Sequence, residues 1–197
     1  MFDECGSIGR GYKHPVIIER ANLGKGMLIR DEQAGDEDAI RQLVTVAFYD
    51  HPHSDQREHF LIGALRTSGA LTLSLVVDED GAPVGHIAFS PVKIDGASQN
   101  WYGLGPVAVI PARQRSGIGQ ALVHAGLVRL KSISAAGCVV LGDPAFYTRF
   151  GFAARPQLTF AGAPPEYFLS LPFGATVPAG TVEYHPSFYY PSQHAEE

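Results

Sequence analysis

Apolar and polar positions alternate in a way that divides the first part of the chain into a strand and two amphipathic helices. A strand is predicted from Met27 to Asp31, and a helix is predicted to begin near Asp36, because apolar residues then recur at helical spacing. The segment 51–53 is expected to break this helix before a second one starts. The apolar positions are Ile40, Leu43, Val44, Ala47 and Phe48 in the first helix, and Phe60, Leu61, Ala64 and Leu65 in the second.

The middle of the chain is dominated by strand patterns. Two strand-like runs flank the Asp80-Gly81 turn signal and predict a hairpin. A third extended run, from Leu104 to Ile110, leads into a long helix. The apolar stripe of that helix is expected to hold Ile118, Ala121, Leu122, Ala125 and Val128.

Shorter elements follow the long helix. A buried strand is predicted at Cys138–Leu141, and a short helix near Pro144, because Asp143 can cap a helix whose first residue is proline. Strand-like pieces recur at Tyr167–Leu171 and Thr181–Tyr184. The order β-α-α-β-β-β-α-β-α-β predicts one mixed α/β (α+β) domain with antiparallel middle strands.

Composition narrows the class of protein. The 197 residues carry 15 basic and 20 acidic side chains, so the net charge of −5 argues against a general nucleic-acid-binding protein. No stretch approaches the ~18 apolar residues of a membrane span, and the N-terminus lacks the pattern of a signal peptide. The two cysteines, Cys5 and Cys138, are far apart and fit a reducing compartment. We therefore expect a cytoplasmic protein that binds neither membrane nor nucleic acid.

The segment from Gln114 to Gly119 lies between a predicted strand and a predicted helix. Glycines there would let a phosphate approach the unpaired N–H groups of a helix N-terminus, and Arg113 and Arg115 add positive charge. A pyrophosphate would suit this position. The P-loop pattern is absent, and a dinucleotide-binding GxGxxG would need glycine where the chain has Leu122.

Two motifs in this region resemble those of the GNAT N-acetyltransferases. The stretch Val107–Gly119 resembles the family's acetyl-CoA signature, Q/R-x-x-G-x-G/A, whose core falls on Gln114, Gly117 and Gly119. The stretch Phe146–Phe152, FYTRFGF, resembles the family's second signature. Both stand in the family's order and spacing, with a predicted strand between them.

The string LGDP at 141–144 and the string GHIAFSP at 85–91 are similar to the YhbS-like subgroup of that family. The resemblance extends from about Met27 to about Tyr184. It implies the GNAT acyl-CoA N-acyltransferase fold, a mixed central sheet with splayed strands flanked by helices. Residues 27–197 are predicted to form the single GNAT domain, and residues 1–26 an N-terminal extension.

The resemblance also implies roles for individual residues. Backbone amides from Arg115 to Gln120 would bind the pyrophosphate of acetyl-CoA, and Val107–Val109 would pair with its pantetheine arm and polarise the thioester carbonyl. Tyr147 would contact the cofactor and protonate the departing thiolate, although it could instead only pack against the cofactor. The expected cofactor-binding residues are Val107, Ala108, Val109, Gln114, Arg115, Ser116, Gly117, Ile118, Gly119, Gln120 and Tyr147.

The general base stays open at this point. Many relatives carry a glutamate on the strand before the cofactor loop, but the segment 101–109 contains no acidic residue. A water chain, a backbone carbonyl, His86 or Asp143 could take the proton of the ammonium group instead.

Other clusters favour different interpretations. His51, His53 and His59 could bind a metal, but solvated or substrate-contacting side chains are the preferred interpretation, and no metal is expected. An aromatic cluster near the C-terminus predicts packing or a dimer surface more than an acceptor pocket. It consists of Phe160, Tyr167, Phe168, Phe173, Tyr184, Phe188, Tyr189 and Tyr190.

The function expected from these residues is acetyl-CoA-dependent N-acetylation of an amine, by direct attack in a ternary complex. One alternative is an acyl-CoA-binding or regulatory module without catalysis, which the missing strand glutamate suggests. Another is a toxin-type acetyltransferase of aminoacyl-tRNA, which the net charge of −5 disfavours. The acceptor and the oligomeric state, a homodimer included, stay open.

Overall fold

The computed structural model describes residues 26–50, 54 and 57–189. Its helices are α1 (Glu37–Phe48), α2 (Glu58–Thr67), α3 (Ile118–Ser132) and α4 (Pro144–Tyr147). Its strands are β1 (Met27–Asp31), β2 (Leu73–Glu79), β3 (Ala82–Ile94), β4 (Ala97–Val109), β5 (Gly137–Leu141), β6 (Leu158–Thr159), β7 (Phe168–Pro172) and β8 (Gly180–Glu183). None of the helices in these ranges is long and apolar enough to cross a membrane.

The described strands form one mixed sheet in the order β1-β2-β3-β4-β5-β7. The first four strands are consecutive antiparallel neighbours, whereas β4 and β5 run parallel and are joined by α3. β7 returns antiparallel to β5, and β8 pairs with the end of β3. A parallel pair needs a long crossover, and α3 supplies it, so the start of α3 lies beside the end of β4.

The two faces of the sheet are covered by different helices. On one face, α3 packs its buried Leu122 and Val123 against Leu75 and Phe89 of the central strands. On the other face, α1 and α2 cover Val76 and Ala108, and the C-terminal segment forms a separate cluster further along the sheet. The sheet is therefore buried on both faces, with a division between α1/α2 and the C-terminal segment on the second face.

Most predicted elements are confirmed, and the fold class with them. The hairpin turn adopts the left-handed φ values that a two-residue turn requires, 53° at Asp80 and 91° at Gly81. Asp143 caps α4 by accepting a hydrogen bond from the Ala145 N–H at 2.8 Å. The predicted strands at the C-terminus correspond to β7 and β8.

The predicted faces of two helices need correction. In α2, Phe60 is exposed and Ile62 is buried beside Leu65, because α2 packs against α1 through that side. In α3, Val128 is exposed, and the buried face includes Val123, Leu127 and Leu130, which the single stripe did not contain. Each helix carries apolar residues around much of its circumference, so the spacing alone does not choose the buried side.

The start of β4 also differs from the prediction. The strand begins at Ala97 rather than Leu104, after a tight turn in which Asp95 and Gly96 have φ values of 48° and 74°. Its first residues are polar and lie in a long hairpin with β3. The predicted boundary of the domain at residue 27 stays a prediction, because residues 1–25 lie outside the described part of the chain.

Candidate active site

The central feature of the site is a gap between β4 and β5. The two strands pair from Trp101 with Gly137 as far as Leu104 with Val140, and the pairing stops there. A bulge at Gly105–Pro106 follows on β4, opposite Ala88 of β3. Proline has no N–H to donate to a neighbouring strand, so the bulge interrupts the ladder where the strands separate.

Beyond the bulge, β4 keeps one partner strand and exposes its other edge to the gap. The Ile110 N–H donates to the Val84 carbonyl at 3.1 Å, so amides in the same register, that of Ala108 included, point toward β3. The amides of Val107 and Val109 therefore point toward the gap. Of the three predicted residues, two can offer an N–H to a ligand in the gap, while the Ala108 side chain packs against α1 and α2.

The start of α3 lies beside this free edge. Its first backbone bond joins the Ala121 N–H to the Gly117 carbonyl, so the amides of Ile118, Gly119 and Gln120 have no acceptor within the helix. Gly117, the N-cap, has a φ of 89°, and among the described residues no atom beyond its two chain neighbours lies within 4 Å of the place where a Cβ would be. The helix N-terminus is therefore open to an anion, which the helix dipole would favour.

Contacts in the loop before α3 hold it against the end of β4. The Gln114 side chain donates to the Val109 carbonyl at 3.2 Å, and the Ser116 hydroxyl donates to the Arg113 carbonyl at 2.5 Å. Arg113 pairs with Glu79 at 2.9 Å, so its charge is partly neutralised. Arg115 makes no ion pair with the described residues and adds the free positive charge at this end.

The side chains of the predicted glycine-rich segment divide between core and solvent. Ile118, the first residue of α3, is buried in the core between this helix and the sheet, whereas Gln120 is exposed. A Cβ on Gly119 would lie 3.7 Å from the Phe146 ring and 3.9 Å from Val109. This close packing brings α4 beside the start of α3 and the end of β4.

Tyr147 lies at the end of α4, on the β5 side of the gap. Its ring packs edge-to-face on Phe146 and Phe152, with centroid distances of 4.9 and 5.8 Å. Burial raises the pKa of the Tyr147 phenol well above its ordinary range, and the Cys138 thiol adds to this effect. The phenol therefore keeps its proton at neutral pH and can act as a donor.

Gly142 contributes to the site through its lack of a side chain, which the sequence interpretation did not anticipate. A Cβ at this position would overlap the Tyr147 ring. The Gly142 N–H donates to the Tyr167 carbonyl at 2.9 Å, which ties the end of β5 to the loop before β7. Gly142 lies directly before Asp143 and Pro144, which start α4. This position next to a helix start is the feature of the sequence that could have indicated its role.

The two side chains considered as general bases have other partners. His86 is fully buried, its Nε2 lies 2.8 Å from the Ser74 hydroxyl oxygen, and burial together with Arg66 lowers its pKa to about 3. Such an imidazole is a weak acceptor for an ammonium proton. Asp143 caps α4. The Ser74 hydroxyl donates to Glu32, which pairs with Arg66, so the buried His86 belongs to a partly buried polar network that the sequence pattern did not reveal.

The structure describes the two remaining predicted clusters only in part. His59 lies on α2 with its ring 4.0 Å from that of Phe60, while His51 and His53 lie outside the described residues. Within the described part of the chain no group of histidine, cysteine and carboxylate side chains could hold a metal ion. Phe160, Phe168 and Tyr184 pack together with centroid distances of 5.3 and 5.6 Å, whereas Tyr190 is not among the described residues.

Comparison with known proteins identifies the family. Residues 37–152 match the family model described as the acetyltransferase (GNAT) family. The chain belongs to the GNAT acetyltransferase family. The match includes both motifs identified in the sequence, and the arrangement of the sheet around the gap agrees with this membership.

Similar proteins include members of the YhbS group, as the resemblance indicated. The chain is 40% identical to the uncharacterized N-acetyltransferase YhbS of Escherichia coli K12 over 127 residues, which is 64% of this chain and 73% of that protein. A GNAT family acetyltransferase from Brucella melitensis, solved with acetyl-CoA, is 49% identical with a TM-score of 0.75, covering 82% and 97% of the two chains. Escherichia coli YhbS, solved with CoA, is 34% identical with a TM-score of 0.77, covering 83% and 92%.

Proposed function

We propose that this protein transfers the acetyl group of acetyl-CoA to an amine nitrogen, by direct attack in a complex that holds both substrates. The observation that carries this proposal is the free edge of β4 at Val107–Val109 beside the open N-terminus of α3, with Tyr147 on the other side of the gap. The complexes of the similar Brucella protein with acetyl-CoA and of YhbS with CoA support the choice of substrate.

The residues around the gap bind and orient acetyl-CoA in this proposal. Backbone amides from Arg115 to Gln120 receive the pyrophosphate, and Gln114 keeps their loop against the end of β4. The Val107 or Val109 amide donates to the thioester carbonyl oxygen, where negative charge develops during attack. These amides are fixed by the pairing of β4 with β3, so they need no rearrangement during the reaction.

The protein's own groups then move the protons. The amine nitrogen forms a bond to the acetyl carbon, and the bond between that carbon and sulfur breaks. Tyr147 donates its proton to the departing sulfur and is reprotonated from the nitrogen through water. Because β4 carries no carboxylate and His86 is a weak acceptor, we assign the first ammonium proton to solvent water. One proton is released in the net reaction.

A thermal-shift experiment tests acetyl-CoA binding. Ligand at about 100 times its Kd stabilises a protein by about 2.7 kcal/mol. For a domain of this size, that is an increase in Tm of about 5–10 °C. In Gly117→Glu the new carboxylate would occupy the phosphate position and repel the pyrophosphate, so we expect the shift to disappear.

Gly69→Glu is the matched control for this substitution. Gly69 also has a left-handed φ, 71°, and open space at the Cβ position, but it lies in the turn after α2. Both variants should lose similar stability from backbone strain, and only Gly117→Glu should lose the response to acetyl-CoA. A wild-type Tm that no acyl-CoA changes, or a normal response in Gly117→Glu, would contradict the proposed binding site.

A binding module without catalysis is the competing function, and the absence of an acid on β4 favours it. The two are separated by measuring CoA release with a panel of primary amines at saturating acetyl-CoA. Release that depends on the amine supports the transferase. Binding without release with any amine would support the module instead.

A further inference from the structure

A cavity of about 530 Å³ lies between the segment before β6 and the loop that leads into β7. Its walls are mainly apolar and include Leu158, Phe160 and Phe168. The volume falls within the range of about 300–1,000 Å³ that is typical of small-molecule sites. The cavity is therefore large enough for a molecule of the size of an amino acid.

The cavity is connected to the Tyr147 side of the gap through the backbone at the start of β7 and the end of β5. Phe168 pairs with Leu141, the last residue of β5, directly after the point at which β5 leaves β4. Tyr167, next to Phe168, accepts the hydrogen bond from Gly142, on which the Tyr147 ring packs. One wall of the cavity is thus continuous with the segment that holds the proposed acid.

The cavity lies on the side of the sheet away from α3. Phe168 belongs to the core cluster of the C-terminal segment, whereas its neighbour Leu169 faces α3. The pyrophosphate position is at the start of α3. An acceptor in the cavity would therefore not compete with that part of acetyl-CoA.

Two charged residues interrupt the apolar lining. Arg155 lines the cavity with a half-buried side chain, and its Nε atom is buried and has no hydrogen-bond partner among the described residues. Glu166 lines the same cavity and contributes the opposite charge. A buried guanidinium nitrogen without a partner is costly, and a carboxylate is the ligand that matches its geometry best.

We propose that this cavity binds the acceptor, and that the acceptor is a primary amine that also carries a carboxylate and an apolar side chain, as in an aromatic or aliphatic α-amino acid. Arg155 binds the carboxylate, the aromatic walls bind the side chain, and Glu166 complements the positive charge of the ammonium group. The inference rests on the proposed N-acetyltransferase function. The transfer itself is the one described above, with the amino nitrogen as nucleophile.

Three acceptors that differ in one group provide the test. L-Phenylalanine, L-phenylalaninamide and 2-phenylethylamine share the ring and the primary amine, and only the first has a carboxylate. With wild-type protein and saturating acetyl-CoA, we expect the kcat/KM for CoA release to be highest for L-phenylalanine. Calorimetric titration of the CoA-bound protein should likewise give a lower Kd for L-phenylalanine than for 2-phenylethylamine.

Variants of Arg155 then identify the group that makes this distinction. Arg155→Gln should raise the KM for L-phenylalanine about 10- to 100-fold, the loss typical of a charge-assisted hydrogen bond, and change the KM for 2-phenylethylamine little. Arg155→Lys should recover part of the loss, because it keeps the charge but not the planar fork. Lys93→Gln, which removes a positive charge from an exposed position on β3, is the control.

The possible outcomes distinguish a failure of this inference from a failure of the proposed function. Equal activity with 2-phenylethylamine, an equal effect of Arg155→Gln on both acceptors, or no acetylation of L-phenylalanine while acetyl-CoA still binds would overturn the inference alone. No acetyl-CoA binding and no CoA release with any amine would overturn the proposed function. If Arg155→Gln does not fold, the wild-type comparison of the acceptors still decides.

Discussion

Replacement of Tyr147 by phenylalanine removes the proposed acid and leaves the ring in place. The packing of the ring on Phe146 and Phe152 needs only its aromatic edge and faces, so it should persist in Tyr147→Phe. We therefore expect a change in the free energy of unfolding of at most about 1 kcal/mol. A change in activity can then be attributed to the hydroxyl.

The size of the effect follows from what a positioned acid contributes. Because burial raises the pKa of the phenol, Tyr147 carries its proton throughout the neutral pH range. A general acid typically accelerates a reaction 10²- to 10⁴-fold, so kcat of Tyr147→Phe should fall by a similar factor, or about 2.7–5.4 kcal/mol in the barrier. The affinity for acetyl-CoA should change little, because pyrophosphate and pantetheine contacts are made by backbone amides elsewhere.

The assay is steady-state release of the CoA thiol, combined with calorimetric measurement of acetyl-CoA affinity. Tyr102→Phe is the matched control, since its hydroxyl bonds Asn100 at 3.1 Å in the half of β4 that precedes the gap. An unchanged kcat in Tyr147→Phe would refute the acid role. An unchanged kcat together with a weaker acetyl-CoA affinity would show that Tyr147 only packs against the cofactor.

Two further predictions concern residues that position Tyr147 and that stabilise the fold. Gly142→Ala should lower kcat about 10- to 100-fold with acetyl-CoA binding retained, because the new Cβ displaces the Tyr147 ring; an unchanged kcat would contradict this positioning. Asp36→Asn should lower the free energy of unfolding at pH 7 by about 1.5 kcal/mol, because Arg30 holds the pKa of Asp36 below its usual 3.8. This difference should be fully present above about pH 4 and disappear as the pH falls through the lowered pKa of Asp36. Denaturant titrations at pH 7 and at a pH below that pKa measure the difference. The exposed Asp38→Asn is the control.

Much of the local geometry of the candidate site could be predicted because its signals are local. Gly117 is required where the chain turns into α3 with a left-handed φ, and Asp143 with Pro144 starts a helix by capping it and fixing its first φ. These residues act on their own neighbours along the chain, so the sequence alone indicates them. The resemblance to the GNAT motifs then placed Tyr147 beside the same gap.

Other features depended on contacts between distant segments. Whether Phe60 or Ile62 of α2 is buried is decided by how α2 packs on α1, since both residues are apolar. The polar first half of β4 forms a strand because its backbone pairs with β3, and strand pairing does not require apolar side chains at every position. His86 was one candidate base in the sequence, and the tertiary structure buries it with its Nε2 2.8 Å from the Ser74 hydroxyl oxygen.

The sequence by itself determined the order of the elements, the glycine-rich turn into α3 and the family, because each depends on residues that are close together in the chain. The tertiary structure decided which amides of β4 face the gap, that His86 is fully buried, and that Arg155 and Glu166 line one cavity. These depend on the register of paired strands and on the burial of side chains by segments far apart in sequence. Such burial sets the pKa values and the partners on which the chemistry depends.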